Sequence, residues 1–395
     1  MAKKYGILAF AALLLFSCNF SRPITPLTHD TSSQDTAAAQ INSQKTTEKY
    51  SLTFLAAGDN LFHDTIINTH KQDDGHDFSG IYTEVKNLVQ KADLAFINQE
   101  TVMAGERFGH SGYPEFNSPQ ILAKNLADTG FDIINHANNH AMDRGKNGMI
   151  ATLDLWETMP EITVIGVRKS GESHKIITKN NITLGFLSYT YGLNGIPLPE
   201  DSPNLVSLID EKTMSEEAAA LRPLCDFMIV SIHWGEEYKT EPSEEQKDIA
   251  LLLARHNTDL IIGHHPHVLQ PVESLPRADG KEMLCFYSIG NFVSNQRNKE
   301  RLLGAMMLVT FIKEIPDGDN AELIIADSGL IPVICHFERD FSGTKVYPLY
   351  SYTNELLEKH RQSFIDKEMT LEYYNGVMNS LGTKIYTDNP FNMEE

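Results

Sequence analysis

Five apolar runs of this 395-residue chain end in side chains that can ligate a metal or move a proton. They are Gly58-Asp59, Asn98-Gln99-Glu100, NHANNHAMD over 135–143, IHWGEEY over 232–238 and GHHPH over 263–267. Taken singly, most have a plain structural explanation. Gly-Asp after a strand is a turn pair, Asn138-Asn139 are turn formers, Asn98 and Glu100 suit a helix cap, and His233 suits a satisfied core histidine. GHHPH is harder to explain that way, because three imidazoles in five residues beside a stiffening proline serve no packing purpose. Taken together, the five ends offer carboxylates, amides and imidazoles without a thiolate, a donor set that suits Zn, Mn or Fe. In layered α/β proteins ligands collect beyond the carboxyl ends of strands, where such clusters can meet.

The elements that must position these residues alternate. SLTFLAAGD over 51–59 reads as a buried strand. Ile81, Val85, Leu88 and Val89 then recur at helical spacing before the strand DLAFIN. Ser118 and Pro119 predict a helix start, Ile121, Leu122 and Leu126 its apolar face, and Gly130 its end ahead of FDIIN. Met149, Ile150, Leu153 and Trp156 predict a helix before ITVIGV, and Ser243 with Gln246 forms a capping box before a helix that leads to DLIIG. The result is an α/β fold of layered type. After Gly304 the runs AMMLVTFI and AELIIADSGLIPVICHF predict a β-rich continuation, and 356–369 a charged, exposed helix in a C-terminal helical extension over 346–395.

Composition narrows the function. Apolar residues make up 41%, enough for a sizeable core. The 53 acidic against 33 basic residues give a formal charge of −20, which argues against general nucleic-acid binding. The longest apolar run, 6–16, is eleven residues, short of the roughly 20 that span a bilayer as a helix. With Lys3 and Lys4 before it and Ser17-Cys18 after it, it reads as an export signal whose cysteine is lipidated, making the chain a membrane-anchored lipoprotein of the cell envelope. A plain signal peptide with an incidental cysteine is the other reading. Residues 19–50, rich in Ser, Thr, Gln and Asp, read as a tether, and 51–345 as the catalytic or binding domain. Cys225, Cys285 and Cys335 are odd in number and sit in apolar runs, which predicts buried strand thiols and no disulfide framework.

The ordered series GD, NQE, NNHAMD, IHWGEEY, GHHPHVLQPVE and YSIGNFV, spread over 58–293, resembles the CapA-type proteins of poly-γ-glutamate capsule synthesis. These are similar to calcineurin-like metallophosphoesterases, so the resemblance implies a four-layer α/β/β/α sandwich. Carried over position by position, it implies Asp59, Glu100, Asn139, His233, His265 and His267 as ligands of one or two divalent ions. It also implies His140 as a proton donor, which Asp143 or another acid would orient. Two positions depart from the pattern. Leu61 stands where the phosphoesterases have a ligand histidine, with His63 as a possible substitute, and Glu100 stands where they have an aspartate. Two ions lower the pKa of a bridging water and clamp a tetrahedral transition state.

Arg144, Trp234, Glu236, Glu237 and Tyr238 would flank the opening, as substrate groups or as a solvated rim. A polyanionic substrate would need local positive charge from the metals or from Arg144, Lys146, Arg168 and Lys169, since the whole chain repels it. Two functions follow. One is a metal-dependent hydrolase of a phosphoester or amide-type bond in the envelope. The other is a non-catalytic subunit of a polymer synthesis or export complex that binds the polymer in a degenerate pocket. A solute-binding lipoprotein fits the anchor but not the five polar strand ends. Cys18→Ala is expected to abolish membrane association while leaving the folded domain intact, as read by fractionation with a labelled fatty acid. Membrane retention at the wild-type level would refute the lipid anchor.

Overall fold

The computed structural model describes residues 47–316 and 320–392. The export signal, Cys18 and the tether as far as residue 46 lie outside the described residues. Strand β1 (Thr47–Asn60) takes the last four residues of the expected tether into regular structure.

β1 is central to an eight-stranded sheet. On one side it pairs in parallel with β4 (Leu94–Gln99), followed by β5 (Ile133–Asn135) and β6 (Thr163–Ile165). On the other it pairs antiparallel with β14 (Leu303–Pro316), which carries β15 (Glu322–His336) and β16 (Lys345–Pro348). Short β13 (Asn291–Val293) runs parallel to the end of β1. A six-stranded sheet holds β7 (Lys175–Lys179), β8 (Ile182–Thr190), β9 (Phe227–His233), β10 (Leu260–His264), β11 (Val272–Pro276) and β12 (Glu282–Phe286) in the order β11-β12-β10-β9-β8-β7. A hairpin, β2 (Lys71–Gln72) with β3 (Gly75–His76), stands apart.

The continuous apolar runs follow from burial on both faces of each sheet. Leu52, Phe54 and Ala56 of β1 share a core with Phe186, Phe227, Ile229 and Ile262 of the second sheet, so the sheets pack face to face. The alternate residues Leu55 and Ala57 turn to an outer layer, where they meet α1 (Asp64–Thr69), α2 (Lys86–Lys91), α3 (Ile121–Thr129) and the end of α4 (Gly145–Trp156). On the far face Met228, Val230 and Ile232 of β9 pack on α5 (Glu211–Leu221) and α6 (Glu244–Arg255). The order of layers is α/β/β/α, as the family resemblance implies.

Local signals hold in part. The Ser243–Gln246 capping box opens α6, and Gly130 ends α3 at φ 114°. Ser118 does not cap α3, because its hydroxyl bonds Thr101 at 2.7 Å and the helix begins at Ile121. The expected 356–369 helix is broken. After α7 (Lys299–Leu302), the C-terminal segment forms α8 (Asn354–Lys359), α9 (Arg361–Ile365) and α10 (Leu371–Asn379). His360 turns extended between the first two and accepts a bond from the Gln362 N–H at 2.9 Å. Leu357, Met369, Tyr374 and Met378 enter the inter-sheet core, so the extension covers that core and is not an exposed appendage. Cys225, Cys285 and Cys335 are free thiols. The last two are buried in β12 and β15, whereas half-buried Cys225 lies just before β9, outside any strand.

Candidate metal centre

The two sheets bring five strand ends to one place. Asp59 is in register with Asn98, and Asn98 with Asn135, at the ends of β1, β4 and β5. In the second sheet His264 is in register with His233 at the ends of β10 and β9. Gly263 is required just before that end, because a Cβ there would lie 1.9 Å from the Tyr287 carbonyl oxygen. Past the strand, His265 and His267 take left-handed backbone at φ 97° and 56° around Pro266. Such conformations cost about 1–3 kcal/mol each in a non-glycine residue, and they fold both imidazoles back over the sheet ends.

Asp59, Glu100, His233, His265 and His267 are all buried, and each offers an atom to one of two triads. One is Asp59, Glu100 and His267, the other Glu100, His233 and His265, with the atoms of each within 4.8 Å of one another. Glu100 belongs to both. Its two carboxylate oxygens are buried without a hydrogen-bond donor, and its nearest imidazole nitrogens are His233 Nε2 at 3.6 Å and His267 Nε2 at 3.7 Å. An exposed carboxylate, Glu237, forms a further group with His265 and His267. Asn139 Oδ1 lies 3.0 Å from His233 Nε2, at the edge of the second triad.

The charges of the centre are strongly displaced. Burial, then the charge of Asp59, drives the Glu100 carboxyl well above the carboxylate range, although His267 acts against both. Burial would raise Asp59 too, but His264 and His267 overcome it and hold Asp59 well below that range. Burial opposes charge on His267, yet the Glu100 charge and the Asp59 contact at 3.1 Å lift it to about 9. His233 is pushed well below its ordinary value, and His265 to about 4, chiefly by burial and next by a neighbouring imidazole. Among these side chains His267 is thus the one counter-charge for two carboxylates. A buried oxygen pair without donors, with the neutral imidazoles of His233 and His265 on one side and Asp59 and His267 on the other, is a donor set that suits a divalent cation, and the residues present fit such an ion.

Second contacts fix the orientation of Asp59. Ser188 Oγ donates to Asn135 Oδ1 at 2.6 Å, Asn135 Nδ2 to Asn98 Oδ1 at 2.8 Å, and Asn98 Nδ2 to Asp59 Oδ1 at 2.7 Å. This buried relay crosses from the second sheet to the first. The His265 backbone N–H donates to Asp59 Oδ2 at 3.3 Å, and His264 Nδ1 stands 3.3 Å from Oδ1 without hydrogen-bond alignment. Asn291 Oδ1 meets His267 Nδ1 at 3.1 Å. Sequence reasoning missed the roles of His264, Asn135, Ser188 and Asn291, although GHHPH, NHANNHAMD and the GNF of YSIGNFV contain three of them.

His140 and Asp143 pair as expected. His140 Nδ1 bonds Asp143 Oδ2 at 2.7 Å, and that oxygen also accepts the Phe116 N–H at 2.7 Å. Asn194 joins this pair to the centre, since it lies 3.3 Å from His140 Nδ1 and accepts from Asn139 Nδ2 at 3.1 Å. His63 falls outside both triads. Its Nδ1 accepts the Asn295 N–H at 3.3 Å, burial holds it at about 4, and it lines an adjoining cleft.

The expected rim is corrected at several positions. Trp234 is buried beneath the site, with Nε1 donating to the Tyr287 carbonyl at 2.9 Å, because strand alternation turns it to the outer helices while His233 faces the centre. Arg144 is tied to the Glu115 carboxylate at 3.1 Å, Lys146 to Asp201 at 2.7 Å and Lys169 to Asp154 and Glu157, while Arg168 donates to Ser207 at 2.7 Å. Arg144, Lys146 and Lys169 are thus neutralised by acids, and Arg168 is held by a serine hydroxyl. Glu236 lines a separate surface groove, and of the expected rim Glu237 and Tyr238 stay exposed beside the centre, joined by exposed Tyr191, whose ring centroid is 4.6 Å from that of His265.

Residues 53–296 match the family model described as bacterial capsule synthesis protein PGA_cap. The chain is 33% identical over 177 residues to the PGA biosynthesis protein CapA of Bacillus subtilis (strain 168), covering 44% of this chain and 45% of that protein. It is 31% identical over 189 residues to the capsule biosynthesis protein CapA of Bacillus anthracis, covering 46% and 44%. The chain thus spans less than half the length of these curated relatives. Among solved structures it is similar to the 5'-nucleotidase precursor of Thermus thermophilus (TM-score 0.43, 15% identity, 84% of this chain and 59% of that one). It is also similar to the NAD nucleotidase NadN of Haemophilus influenzae (TM-score 0.41, 13% identity, 87% and 65%).

The geometry separates ligands from core histidines. Glu100→Gln and His267→Ala are expected to weaken divalent-metal affinity by at least about tenfold with circular dichroism retained. His136→Ala, which removes the buried partner of Trp156 Nε1 at 2.9 Å, should lower stability and leave metal affinity unchanged. Metal analysis after equilibrium dialysis reads both, and wild-type affinity in Glu100→Gln would contradict the assignment.

Proposed function

Because this chain belongs to the bacterial capsule synthesis protein PGA_cap family, we propose that it is a divalent-metal-dependent hydrolase acting on a phosphoester or amide-type bond of a capsule polymer or its precursor. The observation that carries this reading is the buried Glu100 carboxylate, shared by two triads of ligand type and linked through Asn139 and Asn194 to a paired His140 and Asp143. The names of the curated relatives support the polymer, and the charge and donor pattern of the centre supports the metal. In this reading Cys18 carries the acyl anchor that keeps the site at the cell envelope.

The chain's own residues divide the work. Bound divalent ions supply Lewis acidity to the bond and acidify water. Asp59 is aimed by the Asn98–Asn135–Ser188 relay, so its ligand oxygen does not have to reorganise. The 2.7 Å bond from His140 Nδ1–H to Asp143 orients the ring and leaves Nε2 as the site that would take a proton from the attacking water and hand it on to the leaving oxygen or nitrogen. The Phe116 ring packs edge-on against His140, with centroids 4.6 Å apart, and holds the imidazole plane.

One observation favours a second reading, a binding subunit without turnover. Leu61, at the position where the similar phosphoesterases have a ligand histidine, is core-buried at 2% exposure, and His63 stands outside both triads. The test is hydrolysis of γ-linked glutamate oligomers and of an aryl phosphodiester by the metal-loaded full chain. His140→Ala should lower turnover by roughly 10²–10⁴ at unchanged metal content, because a proton donor outside the ligand set can be lost without losing the ions. No turnover of either substrate by the metal-loaded wild type would defeat the hydrolase and leave the binding subunit.

A further inference from the structure

Beside the metal centre lies a cleft of about 530 Å³, within the range of small-ligand sites, whose walls include His63, Tyr238, Asn295, Gln296, Arg297 and Arg301. In a chain of charge −20, two arginines here are conspicuous, because among the described residues neither pairs with a carboxylate. The Arg301 guanidinium lies over the Tyr238 ring at 3.3 Å from its centroid, and Arg297 stands 5.4 Å from the Phe341 ring. Stacking orients a guanidinium while leaving its N–H fork free. One acid, Asp64, lines the same cleft, but its Oδ1 accepts the Gly112 N–H at 2.6 Å.

The cleft is built onto the centre. Asn291 donates to the Arg301 carbonyl at 2.9 Å, and its Oδ1 meets His267 at 3.1 Å. Tyr238, at φ 67°, donates its N–H to the Pro266 carbonyl at 2.7 Å, and its ring centroid is 6.2 Å from that of His267. Both walls of the arginine site are therefore fixed to the loop that carries His265 and His267.

We propose that Arg301 and Arg297, backed by Tyr238, form a subsite for a carboxylate carried by the substrate next to the bond presented to the metal centre. The assignment rests on the proposed function for the nature of the substrate and adds the residues that select its charge. A planar, preoriented guanidinium matches a carboxylate in two-point contact, and the side-chain amide of Gln296, whose Oε1 accepts from Asn291 Nδ2 at 3.2 Å, has its Nε2 left to complete the shell. This also bears on the charge conflict, since two arginines without carboxylate partners stand here beside the centre, whereas Arg144, Lys146 and Lys169 are neutralised by acids.

The test is calorimetric binding of a γ-linked glutamate pentamer and of its neutral, amidated counterpart to the metal-loaded full chain. Wild type should favour the charged pentamer by about 10- to 100-fold. Arg297→Gln and Arg301→Gln together should abolish the preference with metal content and circular dichroism unchanged, and Arg301→Lys should restore part of it. If Arg301→Gln fails to fold, exposed Arg297→Gln alone should still reduce the preference. Equal binding of the two pentamers by wild type, or a preference that survives in the double variant, would overturn the subsite. Tighter binding of a glycerol-phosphate oligomer than of the glutamate pentamer would overturn the carboxylate assignment. Arginine-dependent binding without hydrolysis would defeat only the catalytic reading, and hydrolysis with unchanged selectivity in the double variant only the subsite.

Discussion

A single buried carboxylate sets the terms for this protein. Removing a carboxylate from water costs several kcal/mol even after local relaxation, and Glu100 receives no hydrogen bond in return. Its nearest potential counter-charge, His267, is shared with Asp59. The arrangement is unfavourable for the chain's own stability, and it persists because the surrounding fold over-determines it. Sites of this kind are where a protein trades stability for the capacity to hold something else, and the occupant proposed here is a cation between two triads that share one side chain.

The sandwich is what makes the trade possible. The two sheets bury a common core of Phe54, Phe186, Phe227 and Ile262, so the ends of β1 and β4 cannot move independently of the ends of β9 and β10. The Ser188–Asn135–Asn98–Asp59 relay then carries that rigidity to a ligand atom through three buried hydrogen bonds. The strained loop at His265 and His267 closes the site from above, and the C-terminal segment seals the same core. Each contact is modest, but the loop strain and the bare carboxylate together require a scaffold with long-range packing on every side.

Much of this was legible in the residues. Polar strand ends separated by helical periodicity pointed to one site at the carboxyl edge of a layered fold, and Asp59, Glu100, Asn139, His233, His265 and His267 do gather there. The errors have physical causes. Trp234 follows His233 in a strand direction, so alternation alone turns it away from the centre, a signal present but not applied. Lys146 and Lys169 are candidates for local positive charge in the sequence, whereas their acid partners Asp201 and Asp154 come from other segments that no local pattern brings near. Arg301 carries no signal of its own, because it lies in the short helix α7 within the charged run Lys299-Glu300-Arg301, which has the composition of a solvated turn. The 356–369 segment reads as one charged helix, yet tertiary burial of Leu357 and Met369 and the extended turn at His360 divide it. Residues that act through distant partners are the ones a one-dimensional pattern cannot place.

The central claim is that Glu100 bridges two cation positions, and diffraction at the manganese edge from crystals of the full chain equilibrated with Mn²⁺ tests it most directly. The expected result is two anomalous peaks about 3.5–4 Å apart, one beside Asp59 and His267 and the other beside His233 and His265, with the Glu100 carboxylate between them. A single peak that does not touch Glu100, or no peak with the Glu100 oxygens still bare, would contradict the account.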